Sequence, residues 1–196
     1  MSVRALKRPR VAAFARPAGS TLQRGNASTI TVANRQRTRR IHLRLLKQIT
    51  QALLMDLAWP GIELEINLVA APEMTRLNET YLRHAGSTDV LAFDYGDQGR
   101  AGSPLPAGAH GVRRPALHGE IFLCVDEALL QSRRFGTAWP AELVRYLVHG
   151  LLHLRGFDDA AAGARRRMKR EENRLLRQLA RRFSLAQLSP PIKLPA

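Results

Sequence analysis

The chain has 196 residues, 45% apolar and 24% charged, which suits one domain with a real hydrophobic core. Lysine and arginine total 31 against 16 acids, a formal charge of +15, so acidic ligands and polyanions are favoured as partners: nucleic acid first, an anionic membrane surface second. A single cysteine, Cys124, excludes an intrachain disulfide, and no apolar run approaches the roughly 20 residues of a membrane-spanning helix.

Residues 1–28 hold Pro9, Pro17, Gly19 and Gly25 among scattered arginines with no sustained period, the pattern of a basic disordered tail or of an upstream start codon. No acid occurs before Asp56, so an organellar transit peptide is an alternative reading of the same stretch. A single folded domain is expected over residues 29–187. Ile30, Thr31 and Val32 suggest a first strand, and residues 38–56 a helix with Ile41, Leu45, Ile49, Leu53 and Met55 on its apolar stripe. Pro60 and Gly61 break the chain. Ile62, Leu64, Ile66 and Leu68 then alternate with Glu63, Glu65 and Asn67, the period of a strand with one wet face.

Residues 72–83 read as a short helix, 88–93 as a strand, 97–115 as a Gly/Pro-rich loop and 117–125 as a fourth strand. Cys124 falls in that last strand, where a buried structural thiol is the default. Helices are expected over 126–135, over a stretch beginning at Trp139 and Pro140, and over 160–183. The last of these gathers Arg165, Arg166, Arg167, Lys169 and Arg170. Pro190, Pro191 and Pro195 make residues 188–196 a loose end. This order gives an α+β domain: a small mixed sheet of about four strands with helices packed on it, the metal-binding helix described next lying in the C-terminal half.

The chemistry concentrates in residues 149–159, HGLLHLRGFDD. Positions four apart share a helix face about one turn apart, so His149 and His153 can converge on one cation. Gly156 supplies a helix stop in the left-handed conformation, which returns Asp158 and Asp159 toward the histidines. Neutral imidazole nitrogen and carboxylate oxygen are ligands for a divalent ion, and catalytic zinc uses three protein ligands plus water. His149, His153 and Asp159 make up such a set. Metzincin proteases share the His spacing but place a glutamate, the proton acceptor, where this chain has Gly150, which disfavours peptide hydrolysis. Met168 sits in a basic helical stretch and reads as a packed helix methionine, not as a Met-turn.

The run resembles the H-G-x-L-H-L-x-G-x-D-H motif of the YbeY-type bacterial endoribonucleases. Two further blocks agree: Leu77, Asn78, Tyr81, Thr88, Asp89, Val90, Leu91 and Phe93 are similar to the family's L-N-x-x-Y-R…T-D-V-L-S-F segment, and Gly119, Glu120 and Ile121 to its G-D-I strand start. The resemblance implies the same α+β fold and a zinc-dependent endoribonuclease of rRNA maturation and ribosome quality control, bacterial and cytoplasmic, with precursor rRNA and small-subunit components as partners and no membrane. It departs at two places. The third metal histidine falls on Asp159, a harder ligand that moves preference from zinc somewhat toward manganese or iron. The family's arginine falls on Leu82, with Arg83 one place later and, on a helix, about 100° away. Arg83 is therefore a candidate phosphate contact beside a reading as a solvated surface residue, and Asp158 a candidate to orient a ligand beside a reading as a turn carboxylate. A non-enzymatic alternative is a ribosome-associated binding protein whose ion only pins helix to loop. Should Asp159 not be a ligand, His118 and Glu120 are the next candidates.

Overall fold

A computed structural model describes residues 28–95 and 118–190. The tail expected at 1–28 lies outside these except for Ser28, as do the loop expected at 97–115 and residues 191–196. Four strands, β1 (Thr29–Asn34), β2 (Glu63–Val69), β3 (Val90–Asp94) and β4 (His118–Cys124), form one mixed sheet in the order β1-β2-β4-β3. The first three neighbours in that order run parallel, and β3 is antiparallel to β4 along its edge. The helices are α1 (Leu43–Asp56), α2 (Ala71–Leu82), α3 (Val125–Phe135), α4 (Trp139–Leu154) and α5 (Ala162–Arg182), followed by a 3-10 turn at Leu185–Leu188. The domain is α+β, as its element order predicts.

Strand alternation splits the core in two. Leu64, Ile66, Val90, Ala92, Ile121 and Leu123 pack with α1, α4 and α5 on one face, while Leu91, Phe93, Phe122 and Cys124 meet Met74, Leu77 and Tyr81 of α2 on the other. Tyr81 and Phe122 each approach Phe93 edge-on, at centroid distances of 5.0 and 5.8 Å, the arrangement that aromatic quadrupoles favour.

Four sequence expectations change in detail. Helix α1 begins at Leu43 rather than near 38, because Gln36 bonds the backbone of Arg39 on both sides and holds that stretch in a loop; the Nδ1 of His42 then caps the helix by accepting from the Leu45 amide at 3.0 Å. Met55 leaves the apolar stripe and is 79% exposed. The buried positions are Leu45, Leu46, Ile49, Thr50, Leu53 and Leu54, and Met55 lies another 100° round from Leu54. The wet face of β2 closes at Asn67, which is buried because the strand lies between two others; its amide donates to Glu120 at 3.0 Å. Leu188, assigned to the loose end from the prolines beyond it, is fully buried, and its carbonyl accepts from the His42 amide at 3.0 Å.

Candidate metal centre

Helix α4 is apolar on nearly every side and crosses β3 and β4 between α3 and α5. Pro140 occupies its first turn, where no intrahelical amide is required. A Cβ on Gly150 would lie 3.1 Å from Val90 Cγ2 and 3.2 Å from Ile121 Cγ2, so the glycine lets the helix seat directly on the sheet. A glutamate at this position would face packed side chains, which gives the missing protease base a structural reason.

His149 and His153 project from the same side of α4, with ring centroids 4.7 Å apart and planes at 80°. Their Nε2 atoms face each other at 3.1 Å. His153 Nδ1 lies 3.1 Å from the carbonyl oxygen of Phe157, which can only accept, so Nδ1 carries the hydrogen and Nε2 its lone pair. His149 Nδ1 lies 3.3 Å from Glu172 Oε2 and donates to that carboxylate, which in the neutral ring leaves Nε2 with its lone pair. Burial pushes the His153 imidazole below its ordinary value and His149 adds to the effect, against opposing contributions from Asp159, the Phe157 carbonyl and Asp158. It is held neutral, the form a metal takes.

The chain after α4 delivers the third donor. Gly156, at φ 89°, turns the backbone, and its amide and that of Phe157 bond the carbonyls of His153 and Leu152. Arg165 Nε then holds the Asp159 carbonyl at 3.0 Å. Asp159 is thereby buried, and one ligand atom each from His149, His153 and Asp159 lies within 4.8 Å of the others. Donors about 2.1 Å from a tetrahedral ion stand about 3.4 Å apart, so this set fits a divalent cation with little rearrangement.

Glu172, which inspection of the sequence did not single out, supports this arrangement. Its buried carboxylate accepts from Arg145 and Lys169, each at 2.8 Å, besides His149. Burial alone would raise it, but the bonds from His149, Lys169 and Arg145 outweigh that and hold it at about 2. The signal was present in the periodicity, since Met168, Glu172, Leu175 and Leu179 form the buried stripe of α5 and one of the four is an acid. Glu142 extends the network by pairing with Arg145 and accepting from Thr137 Oγ1 at 2.8 Å.

The remaining sequence candidates stand outside the three-donor cluster. Asp158 is exposed and accepts from the Ala160 amide at 3.0 Å, an Asx-type turn. Arg83 is exposed and ends α2 in the left-handed conformation at φ 57°, so the rotation expected of a helical neighbour does not apply to it. His118 and Glu120 share their strand face with Phe122 and Cys124, on the α2 side of the sheet, away from α4. Glu120 accepts from Tyr95 Oη at 2.6 Å and from Asn67. Cys124 is buried, and chiefly for that reason its thiol is pushed up to about 12, which leaves it unreactive. Met168 is a core residue.

At the turn after α4, Arg155, Gly156, Phe157, Asp158, Ala164 and Arg167 line a cleft of about 270 Å³. Arg155 is committed to the domain: it donates to the Leu57 carbonyl and lies over the Trp59 ring, 5.5 Å from its centroid.

With this geometry in place, a family model described as Endoribonuclease YbeY matches residues 28–180. A protein named Endoribonuclease YbeY from Myxococcus xanthus is 37% identical over 151 residues, covering 77% of this chain and 47% of that protein. One of the same name from Salinibacter ruber is 39% identical over 101 residues, covering 52% of this chain and 60% of its own length. The chain thus spans about half to three-fifths of these curated relatives. The solution structure of TM1509 from Thermotoga maritima shares the fold with a TM-score of 0.52 at 19% identity, covering 85% of this chain and 100% of that one.

Proposed function

The chain belongs to the Endoribonuclease YbeY family, and on that premise we propose that it is a metal-dependent, single-strand-specific endoribonuclease acting in rRNA maturation, at the 3′ end of 16S rRNA, and in ribosome quality control. The observation that carries the reading is the pair of bare imidazole nitrogens facing each other at 3.1 Å with the Asp159 carboxylate beside them. Two lone pairs so close repel unless a proton or a metal ion lies between them, and the neighbouring carboxylate supports the metal ion. His149, His153 and Asp159 are the ligands in this reading, and zinc is the first choice of ion, with manganese and iron brought nearer by the carboxylate. A bound divalent ion supplies Lewis acidity toward a water or a phosphoryl oxygen.

The protein's own groups have defined tasks. Glu172 and the Phe157 carbonyl fix the two imidazole tautomers and ring orientations. Three protein donors, and no fourth in the cluster among the described residues, leave a coordination position for chemistry, which favours catalysis over a purely structural ion in a ribosome-associated binding protein. Asp158 steadies the ligand loop through its turn, and Arg83 contacts substrate phosphate. The net positive charge holds the RNA backbone, so affinity falls steeply as salt rises. Precursor rRNA and small-subunit components are the partners, and the bacterial cytoplasm is the site of action. Among the described residues no helix is long and apolar enough to cross a membrane.

The test is RNA cleavage by a nuclease-free preparation of wild type and His153→Ala, with metal content measured on both. The expected result is loss of metal and of cleavage together; unchanged cleavage by the variant would overturn the assignment. Analysis of product ends separates attack by water from attack by the RNA 2′-hydroxyl, which leaves a cyclic phosphate.

A further inference from the structure

The outward face of α5 has no part in the metal centre. At about 100° per residue, Arg166, Arg170, Arg177 and Arg181 fall within an arc of about 60° and extend about 22 Å along the helix. All four are exposed. Met168, Glu172, Leu175 and Leu179, the buried stripe, lie on the opposite side of the helix. No acid of α5 enters the arc: Glu172 points inward to His149, and Glu171 is bound by Arg174 at 2.8 Å. The ion pairs among the described residues of α4 and α5 engage Arg145, Lys169, Arg174 and Arg182 rather than these four.

We propose that this arginine stripe is a docking track for the phosphodiester backbone of RNA, separate from the metal centre, an inference that rests on the ribonuclease reading above. The contacts of Glu172 with His149 and of Arg165 with the Asp159 carbonyl put the metal on the inward side of α5. A strand lying along the stripe is therefore on the far side of a helix about 10 Å across, and belongs to a part of the RNA other than the segment being cut. Arginine suits this role because its planar fork pairs bidentately with phosphate. A membrane surface is the weaker partner. A helix that lies in a lipid interface inserts an apolar face, and the apolar face of α5 is already packed in the core.

The test uses the full metal-loaded chain, a labelled RNA hairpin and a short unstructured oligonucleotide that is cleaved. The variant carries Arg166→Gln, Arg170→Gln, Arg177→Gln and Arg181→Gln, and its fold is checked by thermal melting. Hairpin affinity at about 100 mM salt should fall at least tenfold, and the slope of log affinity against log salt should become shallower by about 3 for four lost phosphate contacts. The kcat on saturating short oligonucleotide should hold, and replacing the same four residues with lysine should preserve the salt slope. If the fourfold variant does not fold, the pairs Arg166→Gln/Arg170→Gln and Arg177→Gln/Arg181→Gln should each show about half the shift.

An unchanged slope in a variant whose wild type binds and cleaves RNA would mean the stripe is only a solvated face, and would overturn the proposal alone. A wild type that neither binds nor cleaves RNA would overturn the ribonuclease reading first. A fall in kcat in step with affinity would place the stripe in the cleavage groove and overturn a separate track. Loss of binding to phosphatidylglycerol vesicles with RNA binding intact would assign the stripe to lipid instead.

Discussion

The two faces of the sheet each carry a polar cluster, and the clusters differ in how their donors and acceptors match. On the α2 face, Glu120 accepts from Asn67 and from Tyr95 Oη, so a carboxylate meets two donors. On the α4 face, His149 and His153 have spent their hydrogens on Glu172 and the Phe157 carbonyl, and turn two acceptors toward each other and toward a carboxylate. Satisfied polar groups stabilise a fold; imidazole nitrogens converging beside a carboxylate offer ligand atoms to a cation. Both clusters contain an acid and lie within the same domain, so residue type alone does not separate them.

The comparison breaks most sharply at Asp159. Asp159→Ala should lose metal affinity and cleavage by more than about 100-fold, beyond the 10- to 100-fold typical of residues that only orient a ligand, whereas Asp159→His should retain metal and shift preference toward zinc. Metal analysis and competition between zinc and manganese read both outcomes. A variant Asp159→Ala with wild-type metal content would remove the carboxylate from the ligand set.

Glu172→Gln tests whether the charge behind His149 matters. Metal affinity should drop about 10- to 100-fold with the fold retained, measured with cobalt as an optical probe, and Glu172→Asp should recover part of it. Acid stability follows from the same group. Its folded value of about 2 lies below the ordinary 4.5, so its contribution is fully present above about 4.5 and is lost as pH falls toward 2. The difference in melting temperature between wild type and Glu172→Gln should accordingly shrink as the pH is lowered through that window.

Gly150→Ala probes the seating of α4. The added methyl meets Val90 and Ile121 at 3.1 to 3.3 Å, and those buried side chains must give by a few tenths of an ångström, so a stability loss of about 1–3 kcal/mol is expected in denaturant unfolding. The smallest effect belongs to the other face. Glu120→Gln should cost about 1 kcal/mol of stability and leave metal content unchanged. A loss of bound metal in that variant would join the two clusters and dissolve the distinction between them.

Much of this was legible from local pattern. The two histidines four apart, the stop at Gly156 and the acid after it are separated by at most ten residues, within which helix geometry and one left-handed turn dictate relative position. The strands of the sheet showed in their alternation. Less legible were features set by partners distant in sequence. Met55 scans as a stripe residue until the packing partners of α1 fix its buried face between two rows, and Leu188 reads as tail until it is seen beneath α1.

The sequence by itself determined the α+β element order, the helix end that carries the two histidines, the unreactive placement of Cys124 and the excess of positive charge, because each depends on local periodicity, turn chemistry or composition. Tertiary structure decided that Glu172 stands behind His149 from 23 residues downstream, that Gly150 sits tight against the sheet beneath it, that His118 and Glu120 face away from α4, and that the arginines of α5 divide between inward contacts and an outward stripe. These are relations between elements. They arise only when the chain closes on itself and burial forces each polar group to find a partner, which no single stretch of sequence specifies.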